Sequence, residues 1–286
     1  MAGSEDKEDM QMKIYMRKNS MLVSGIVLLA VLVLLAVLIP ALSPYPVTAQ
    51  NAELRNAPSS FSHLFGTDKF GRDIFVRVFA GTRISLAVGI GSALICGMAG
   101  ILYGSAAGYA GGKADMLLMR AADVIDAIPS LLYVILIMLV MGAGIGSILL
   151  GICIGGWVGL ARVVRGEIMR LKSEDFCTAA RLLGVGNGRL LFIHLLPNAA
   201  GPIIVNVTQL IPKAMFTEAF LSFVGVGISA PAASLGTLIQ EARSQIQVAP
   251  SQMLYPMLVL CILILSVNLT GLGLEKSIGR AEGGGW

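Results

Sequence analysis

Charged residues are scarce in this sequence. Only 13% of its 286 residues are Asp, Glu, Lys or Arg, whereas 56% are hydrophobic and the mean hydropathy is +0.80. Because a soluble domain carries about 25% charged residues, this chain has too little charge to cover a water-facing surface. The composition excludes a soluble enzyme, a disordered regulator and a collagen-like chain. It predicts an all-α membrane protein.

The chain also lacks the residue patterns of several kinds of site. Its net charge of +4 is too small and dispersed for a nucleic-acid-binding face, so no nucleic acid partner is expected. The four cysteines have the spacing of neither a zinc site nor a disulfide framework, and they are expected to pack as small apolar residues. His63 has no second His or Cys nearby and is expected to be structural. We therefore expect no metal site.

No phosphate-binding loop occurs in the sequence. Its motif is Gly-x-x-x-x-Gly-Lys followed by Ser or Thr, whereas the one Gly-Lys pair, Gly112-Lys113, precedes Ala114. The chain is therefore not expected to hydrolyse ATP by itself, and no catalytic residue is assigned.

Long uncharged runs predict six membrane-spanning helices. Met21–Leu42 carries no charge and is long enough to cross about 30 Å of hydrocarbon. The 35 uncharged residues between Asp126 and Arg162 are too many for one helix, so we expect a hairpin that turns at Gly142–Gly146. The six expected spans are Met21–Leu42, Ile84–Gly112, Met116–Met141, Ser147–Val164, Ala199–Val224 and Met253–Leu274.

The positions of Lys and Arg predict the orientation. With the N-terminus on the inner side, fourteen of them lie on that side and six on the outer side. Both termini are therefore expected to be cytoplasmic, and the charged tail before a long apolar run argues against a cleaved signal peptide. The expected organisation is a cytoplasmic tail (1–20), a first spanning helix (21–43), an extracytoplasmic segment (44–83), a core of five spans (84–275) with a cytoplasmic loop (165–198), and a cytoplasmic tail (276–286).

The extracytoplasmic segment predicts a short amphipathic helix at the membrane interface. Its apolar face lies between Arg72 and Arg77. A structural belt and a contact for a substrate-delivery protein are both open as roles. The apolar residues are Ile74, Phe75, Val78 and Phe79.

Glycines at every fourth position mark two of the spans. Such spacing lets helix backbones approach closely in lipid. Tight structural packing and helices that rock against a neighbour are the two alternatives. The glycines are Gly100, Gly104 and Gly108 in the second span and Gly151, Gly155 and Gly159 in the fourth.

The loop between the fourth and fifth spans predicts a short helix. Ser173 is suited to its N-cap, Gly184 to a left-handed stop, and Asn187 to the cap of a second helix. From the residues alone, this helix either offers a face to another protein or folds back on its own bundle. Its apolar face at i, i+3, i+4 and i+7 consists of Phe176, Ala179, Ala180 and Leu183.

Few ionisable residues lie within the spans, where charge is expensive and indicates a candidate functional site. Asp123 and Asp126 lie near the inner end of the third span and are expected to reach water or Arg120. Lys213 and Glu218 are five positions apart, so each is expected to have another partner, and both are candidates for the substrate pathway. The prolines expected to break or kink spans are Pro129, Pro202 and Pro212.

Three separated segments resemble one family. Thr178-Ala179-Ala180, Gly184 and His194-Leu-Leu-Pro197 are similar to the EAA loop of permease subunits of ATP-binding-cassette (ABC) importers. Thr178 stands where the general motif has Glu, and Gly271–Lys276 departs from the family's usual C-terminal sequence. The segments that resemble the second permease of dipeptide, oligopeptide and nickel importers are His63–Asp73, Gly81–Ser85, and Leu221–Gly227 with Ala230-Pro231 and Gly236.

The resemblance implies a six-helix permease of the type I importer fold in a bacterial cell membrane, carrying oligopeptides or dipeptides. Import of nickel or a metal chelate is the alternative within the family, and a secondary transporter or a membrane scaffold are the alternatives outside it. The implied partners are a homologous permease in a heterodimer, two ATPase subunits that bind ATP and Mg²⁺, an external substrate-binding protein and membrane lipid. The implied ATPase-coupling residues are Ala179, Ala180 and Gly184, together with Phe176, Thr178 and Leu183 of the same helix.

Overall fold

A computed structural model describes residues 20–228 and 232–283, with side chains as far as Ile278. The expected tail before Ser20 and the Ala230-Pro231 pair lie outside the described residues. Apart from two short 3-10 turns, the described residues form α-helices, one of them with a π-helical stretch, joined by loops. The helices are α1 (Ser20–Leu42), α2 (Ile74–Ala110), α3 (Gly112–Asp126), α4 (Ser130–Met141), α5 (Ile145–Gly156), α6 (Val158–Lys172), α7 (Asp175–Leu182), α8 (Asn187–Asn198), α9 (Ala200–Val224), α10 (Leu235–Ala242) and α11 (Ser251–Gly283).

The helices confirm the expected fold class, an all-α membrane protein. Within the described residues, four spans are long and apolar enough to cross a membrane: α1, α2, α5 with α6, and α11. Two further pairs meet the same criterion together but are bent, α3 with α4 by 68° and α8 with α9 by 69°. When each bent pair counts as one span, the number is six, as the uncharged runs predict.

The second span begins earlier than predicted. α2 runs without a break from Ile74 to Ala110, so the separate interfacial helix expected before Ile84 is wrong. Its residues form the first turns of α2, which Asp73 caps by accepting a hydrogen bond from the N–H of Val76 at 2.8 Å. The charge of Arg77 suggested that this segment lies at an aqueous interface. Arg77 is instead buried and paired with Asp68 and Glu241, so its charge does not end the helix.

The third span is broken where a single helix was expected. Met116–Met141 was predicted as one span, but α3 ends at Asp126 and α4 begins at Ser130. Pro129 lies between them, and a proline removes a helix hydrogen bond and clashes with the preceding turn. The kink expected at Pro129 is confirmed as a full break. The fourth and sixth spans are longer than predicted, because their helices continue to Lys172 and Gly283.

Arginine joins the end of α1 to α2. Pro40 has no N–H, so the carbonyl oxygen of Ala36 lacks the donor that position 40 of a regular helix would supply. Arg83 of α2 donates from Nε to that oxygen at 2.5 Å and from Nη2 to the carbonyl oxygen of Val37 at 2.7 Å. The guanidinium group therefore supplies the donor that Pro40 withholds from Ala36 and also contacts the next carbonyl group.

The glycine stripe of α2 packs directly on α6. A Cβ atom added at Gly104 would overlap the carbonyl oxygen of Ala161, and one at Gly108 would lie 2.8 Å from the carbonyl oxygen of Arg165. The second stripe is less uniform, because Gly151 lies against Val134 whereas Gly159 has open space around it. Tight structural packing, one of the two expected roles, therefore applies to the glycines of α2 but not to every glycine of the second stripe.

Buried ion pairs fix the segment between α1 and α2 onto α10. Arg77 is 4% exposed, and its Nη1 donates to Asp68 at 2.7 Å and to Glu241 at 2.8 Å. Arg72 contacts the same two carboxylates at 2.6 Å. Nδ1 of His63 lies 2.7 Å from a carboxylate oxygen of Asp73, which confirms its structural role. We call the end of the bundle that carries these residues the α10 end.

Candidate functional site

The loop after α6 forms the expected short helix, with a shifted start. Ser173 is not the N-cap, because it still belongs to the last turn of α6 and its hydroxyl donates to the carbonyl oxygen of Arg170 at 2.6 Å. Glu174 takes the N-cap position instead. The predicted stop is confirmed, because Gly184 has a φ of 78°. The N–H of Val185 bonds the carbonyl of Ala180 at 3.1 Å, as in a Schellman motif.

One buried side chain anchors α7 to the bundle. Cys177 is fully buried and packs in a cluster with Ile168, Leu171, Leu190 and Leu195. Ala180, one turn later, is partly buried against the same cluster. Cys177 was expected only to pack as a small apolar residue, and its role in fixing this helix was not predicted.

The opposite side of α7 leaves apolar side chains exposed. Leu182 and Leu183 are each 84% exposed, and Phe176, Thr178 and Ala179 are exposed as well. The predicted apolar face is therefore divided, since Ala180 points to the bundle and the other three members point away from it. We call Phe176, Ala179, Leu182 and Leu183 the α7 surface, and the end of the bundle that carries it the α7 end.

The remainder of the loop is tied to the end of α2. Asn187 does not cap the next helix, a position that Gly186 takes. Its side-chain oxygen instead accepts a hydrogen bond from the hydroxyl of Tyr109 at 2.6 Å, and Lys172 donates to the carbonyl oxygen of Tyr109 at 2.5 Å. α2 therefore links the α10 end of the bundle to the loop at the α7 end.

Ion pairs connect α6 to α3 beside this loop. Arg165 donates to both carboxylate oxygens of Asp115, at 2.5 and 2.6 Å. Arg162 reaches Asp126 at 2.8 Å and Asp123 at 3.0 Å. Arg120, the expected partner of Asp123, lies 3.7 Å from it. The two acidic residues of the third span therefore share an arginine that the sequence analysis did not assign to them.

The structure separates the two candidate pathway residues. Lys213 lines a cavity of about 120 Å³ beside the break between α3 and α4. Glu218 does not line this cavity and is fully buried, with its carboxylate accepting from Ser85 at 3.1 Å and from Ser222 at 2.7 Å. Their five-residue spacing thus turns the two charges in different directions, as expected from the lack of a shared helix face.

No group of three or more His, Cys, Asp or Glu residues that could hold a metal ion occurs within residues 20–228 and 232–283. The charged clusters at both ends pair basic with acidic side chains. They are therefore suited to holding helices together.

Comparison with known proteins identifies the family. Residues 100–281 match the family model described as the binding-protein-dependent transport system inner membrane component. Residues 12–58 match the model described as the N-terminal transmembrane domain of oligopeptide transport permease C. The two matches cover the first span and most of the core.

Individual relatives align over most of their length. The chain is 39% identical to the oligopeptide transport system permease protein OppC of Bacillus subtilis (strain 168), over 92% of this chain and 86% of the relative. It is 39% identical to the dipeptide transport system permease protein DppC of the same strain, over 92% and 82%. It is also 36% identical to the glutathione transport system permease protein GsiD of Pectobacterium atrosepticum, over 92% and 88%. The chain therefore belongs to the family of binding-protein-dependent transport system inner membrane components and is an inner membrane permease.

Proposed function

We propose that this chain is one of two homologous permease subunits of an ATP-driven importer of dipeptides or oligopeptides. Relatives named for oligopeptide and dipeptide transport, each aligned over more than four fifths of its length, support the substrate class. The chain has no phosphate-binding loop of its own, so the energy must come from separate ATPase subunits that bind ATP and Mg²⁺. A substrate-binding protein delivers the peptide, and lipid surrounds the remaining helices.

The α7 surface is the proposed contact for an ATPase subunit. The observation that carries this role is the pair Leu182 and Leu183, both 84% exposed on a helix whose other side is anchored by Cys177. A fixed helix with a free apolar side can move as one body with its neighbours. Phe176, Thr178, Ala179, Ala180 and Gly184 complete the proposed coupling helix, with Gly184 setting its end.

The proposed orientation places the α7 end in the cytoplasm. Arg165, Arg170, Lys172, Arg181 and Arg189 lie in or beside the loop at this end, which fits the excess of positive charge in cytoplasmic loops. The α10 end then faces outward, where the segment between α1 and α2 is available to the binding protein. ATP binding would close the ATPases and move α7, and the bundle would alternate between outward and inward openings.

Co-purification from a strain that expresses the whole importer tests this proposal. Leu183→Asp should abolish retention of the ATPase subunits and ATP-dependent uptake of tri-alanine, while the permease remains in the membrane at its normal level. Val248→Asp is the matched control, because Val248 is also apolar and 75% exposed but lies at the α10 end. It should leave ATPase retention unchanged.

Four results would contradict the proposal. Retention of the ATPases by Leu183→Asp would remove the α7 surface as their contact. Uptake that continues without ATP would indicate a secondary transporter, and assembly without any transport would indicate a scaffold. ATP-dependent uptake of Ni²⁺ or a metal chelate, with none of tri-alanine, would replace the peptide substrate.

A further inference from the structure

We infer that the cavity beside the break between α3 and α4 binds the carboxylate group of a peptide in transit, with Lys213 as its cationic ligand. This inference rests on the proposed function and adds a substrate subsite to it. We call this space the break cavity; it is lined by Ser92, Asp126, Ser130, Lys213 and Thr217, among others.

Lys213 brings a positive charge without a fixed partner into the middle of a membrane span. It lies half-way along α9 and is exposed in the isolated chain, where no residue of the described part forms an ion pair with it. The carboxylate that shares the cavity, Asp126, is already bound by Arg162 at 2.8 Å. Since intramembrane charge is expensive, a lysine that is free in the permease alone is suited to an anionic ligand.

A buried hydroxyl group in the same cavity lacks an oxygen or nitrogen partner. Ser92 is 1% exposed, and apart from the thiol of Cys153, a weak hydrogen-bonding group, its Oγ has no hydrogen-bond partner among the described residues. Buried polar groups are nearly always hydrogen-bonded, and an unsatisfied one costs about 1–3 kcal/mol. A ligand oxygen in the break cavity would accept the hydrogen bond that Ser92 can donate.

The start of α4 adds a third feature that favours an anion. α4 has 12 residues and begins at Ser130 after Pro129, with no side chain capping its first N–H groups. The N-terminal end of a helix carries a partial positive charge and offers free backbone donors. Lys213, Ser92 and the first turn of α4 therefore present positive charge and donors to one space.

The break cavity is large enough for a carboxylate group and the part of a peptide that carries it. Its volume of about 120 Å³ holds roughly eight to twelve water molecules, since one water needs roughly 10–15 Å³ measured with the same probe. A C-terminal carboxylate is common to all unmodified peptides, whatever their side chains. The subsite would thus recognise peptides as a class. An acidic side chain is the other possible source of a carboxylate group.

Uptake by the complete importer in proteoliposomes tests the inference, with peptide-loaded binding protein at saturation. Lys213→Met should lower uptake of tri-alanine by at least about tenfold, the factor expected for a charged hydrogen bond. ATP hydrolysis stimulated by the loaded binding protein should be retained. Lys213→Arg keeps the charge and should stay within about threefold of the wild type. Lys113→Met removes an exposed lysine outside the cavity and should have no effect.

Modified peptides distinguish a carboxylate site from a structural lysine. In the wild type, tri-alanine amide should be transported more slowly than tri-alanine, and Lys213→Met should abolish this difference. A peptide amide with one glutamate side chain shows whether the source of the carboxylate matters. Binding of each peptide to the binding protein is measured separately. Equal loss of acid and amide in Lys213→Met, or no loss of either, would overturn the inference.

A second measurement does not depend on transport. In the purified complex, tri-alanine should slow acetylation of Lys213 by N-hydroxysuccinimide acetate by at least about threefold, as judged by mass spectrometry, whereas its amide should not. No protection would overturn the subsite. Protection without ATP-dependent uptake would leave the subsite in place and refute the proposed function instead.

Discussion

The hydroxyl group of Tyr133 donates a hydrogen bond to the carbonyl oxygen of Ile125 at 3.0 Å. Ile125 precedes Pro129 by four residues, so its carbonyl oxygen has lost the N–H that a regular helix would supply. Tyr133 lies on α4 and Ile125 on α3, so this bond crosses the 68° bend between the two helices. Together with a hydrogen bond from the N–H of Ile128 at 3.4 Å, it replaces the missing backbone bond and supports the bend that shapes the break cavity.

Removing that hydroxyl group should destabilise the bend. We expect Tyr133→Phe to lower the free energy of unfolding by about 1 kcal/mol, measured by denaturant titration of the purified chain. Tyr255→Phe is the control, because its hydroxyl group contacts Ser59 in an exposed position and should matter less. In a Pro129→Ala background the loss should shrink, because alanine restores the N–H. An equal loss in both backgrounds would contradict this explanation.

The contact between α2 and α6 should not tolerate a methyl group at Gly104. A Cβ there would overlap the carbonyl oxygen of Ala161 and lie 2.9 Å from Cβ of Val164. We expect Gly104→Ala to destabilise the bundle by about 1–3 kcal/mol, as overpacking usually does. Gly159→Ala is the matched control, because no atom lies within 4 Å of the added Cβ. Similar denaturation curves for the two variants would refute the close contact.

Loss of one carboxylate from the pairs at the α10 end should loosen the segment before α2. Glu241→Gln leaves the buried Arg77 with Asp68 as its only anionic partner among the described residues. We expect a loss of about 2–4 kcal/mol, because breaking a buried pair leaves charge without compensation. Faster proteolysis within residues 43–73 should accompany it. Glu53→Gln, on an exposed residue of the same segment, should change neither measurement.

The pair of Asp115 and Arg165 should contribute more to stability than an exposed pair nearby. Asp115 is buried and accepts two hydrogen bonds from Arg165. Asp115→Asn should therefore lower the free energy of unfolding by about 1.5–3 kcal/mol. Glu174→Gln removes an exposed partner of Arg170, 3.7 Å away, and should change it by less than about 1 kcal/mol. Equal effects would show that burial does not strengthen the Asp115 pair.

The number and type of the spans could be predicted from uncharged runs, because a membrane requires a minimum length of apolar helix. Their ends were less predictable. α2 starts ten residues before the expected Ile84, because the charges that suggested an aqueous boundary are neutralised by partners far away in sequence. Arg77 meets Glu241 across 164 positions, and no local pattern contains that pairing.

The candidate site shows the same division between local and distant causes. Gly184 was predictable as a helix stop, since only the local need for a left-handed residue decides it. Cys177 was not, because burial of one small side chain depends on Leu190 and Leu195, which reach it through the fold. The different surroundings of Lys213 and Glu218 follow from where the bent third span and Ser85 lie. Helical spacing alone predicted only that the side chains of Lys213 and Glu218 point in different directions.

The unbroken length of α2 has a mechanical consequence. Its 37 residues extend about 55 Å at 1.5 Å per residue, with Arg77 clamped near its start and Tyr109 holding Lys172 and Asn187 near its finish. Because the helix is unbroken and held at both ends, a displacement of one end is transmitted to the other. Proteins bound at the α10 end and at the α7 end would therefore be connected through one continuous helix.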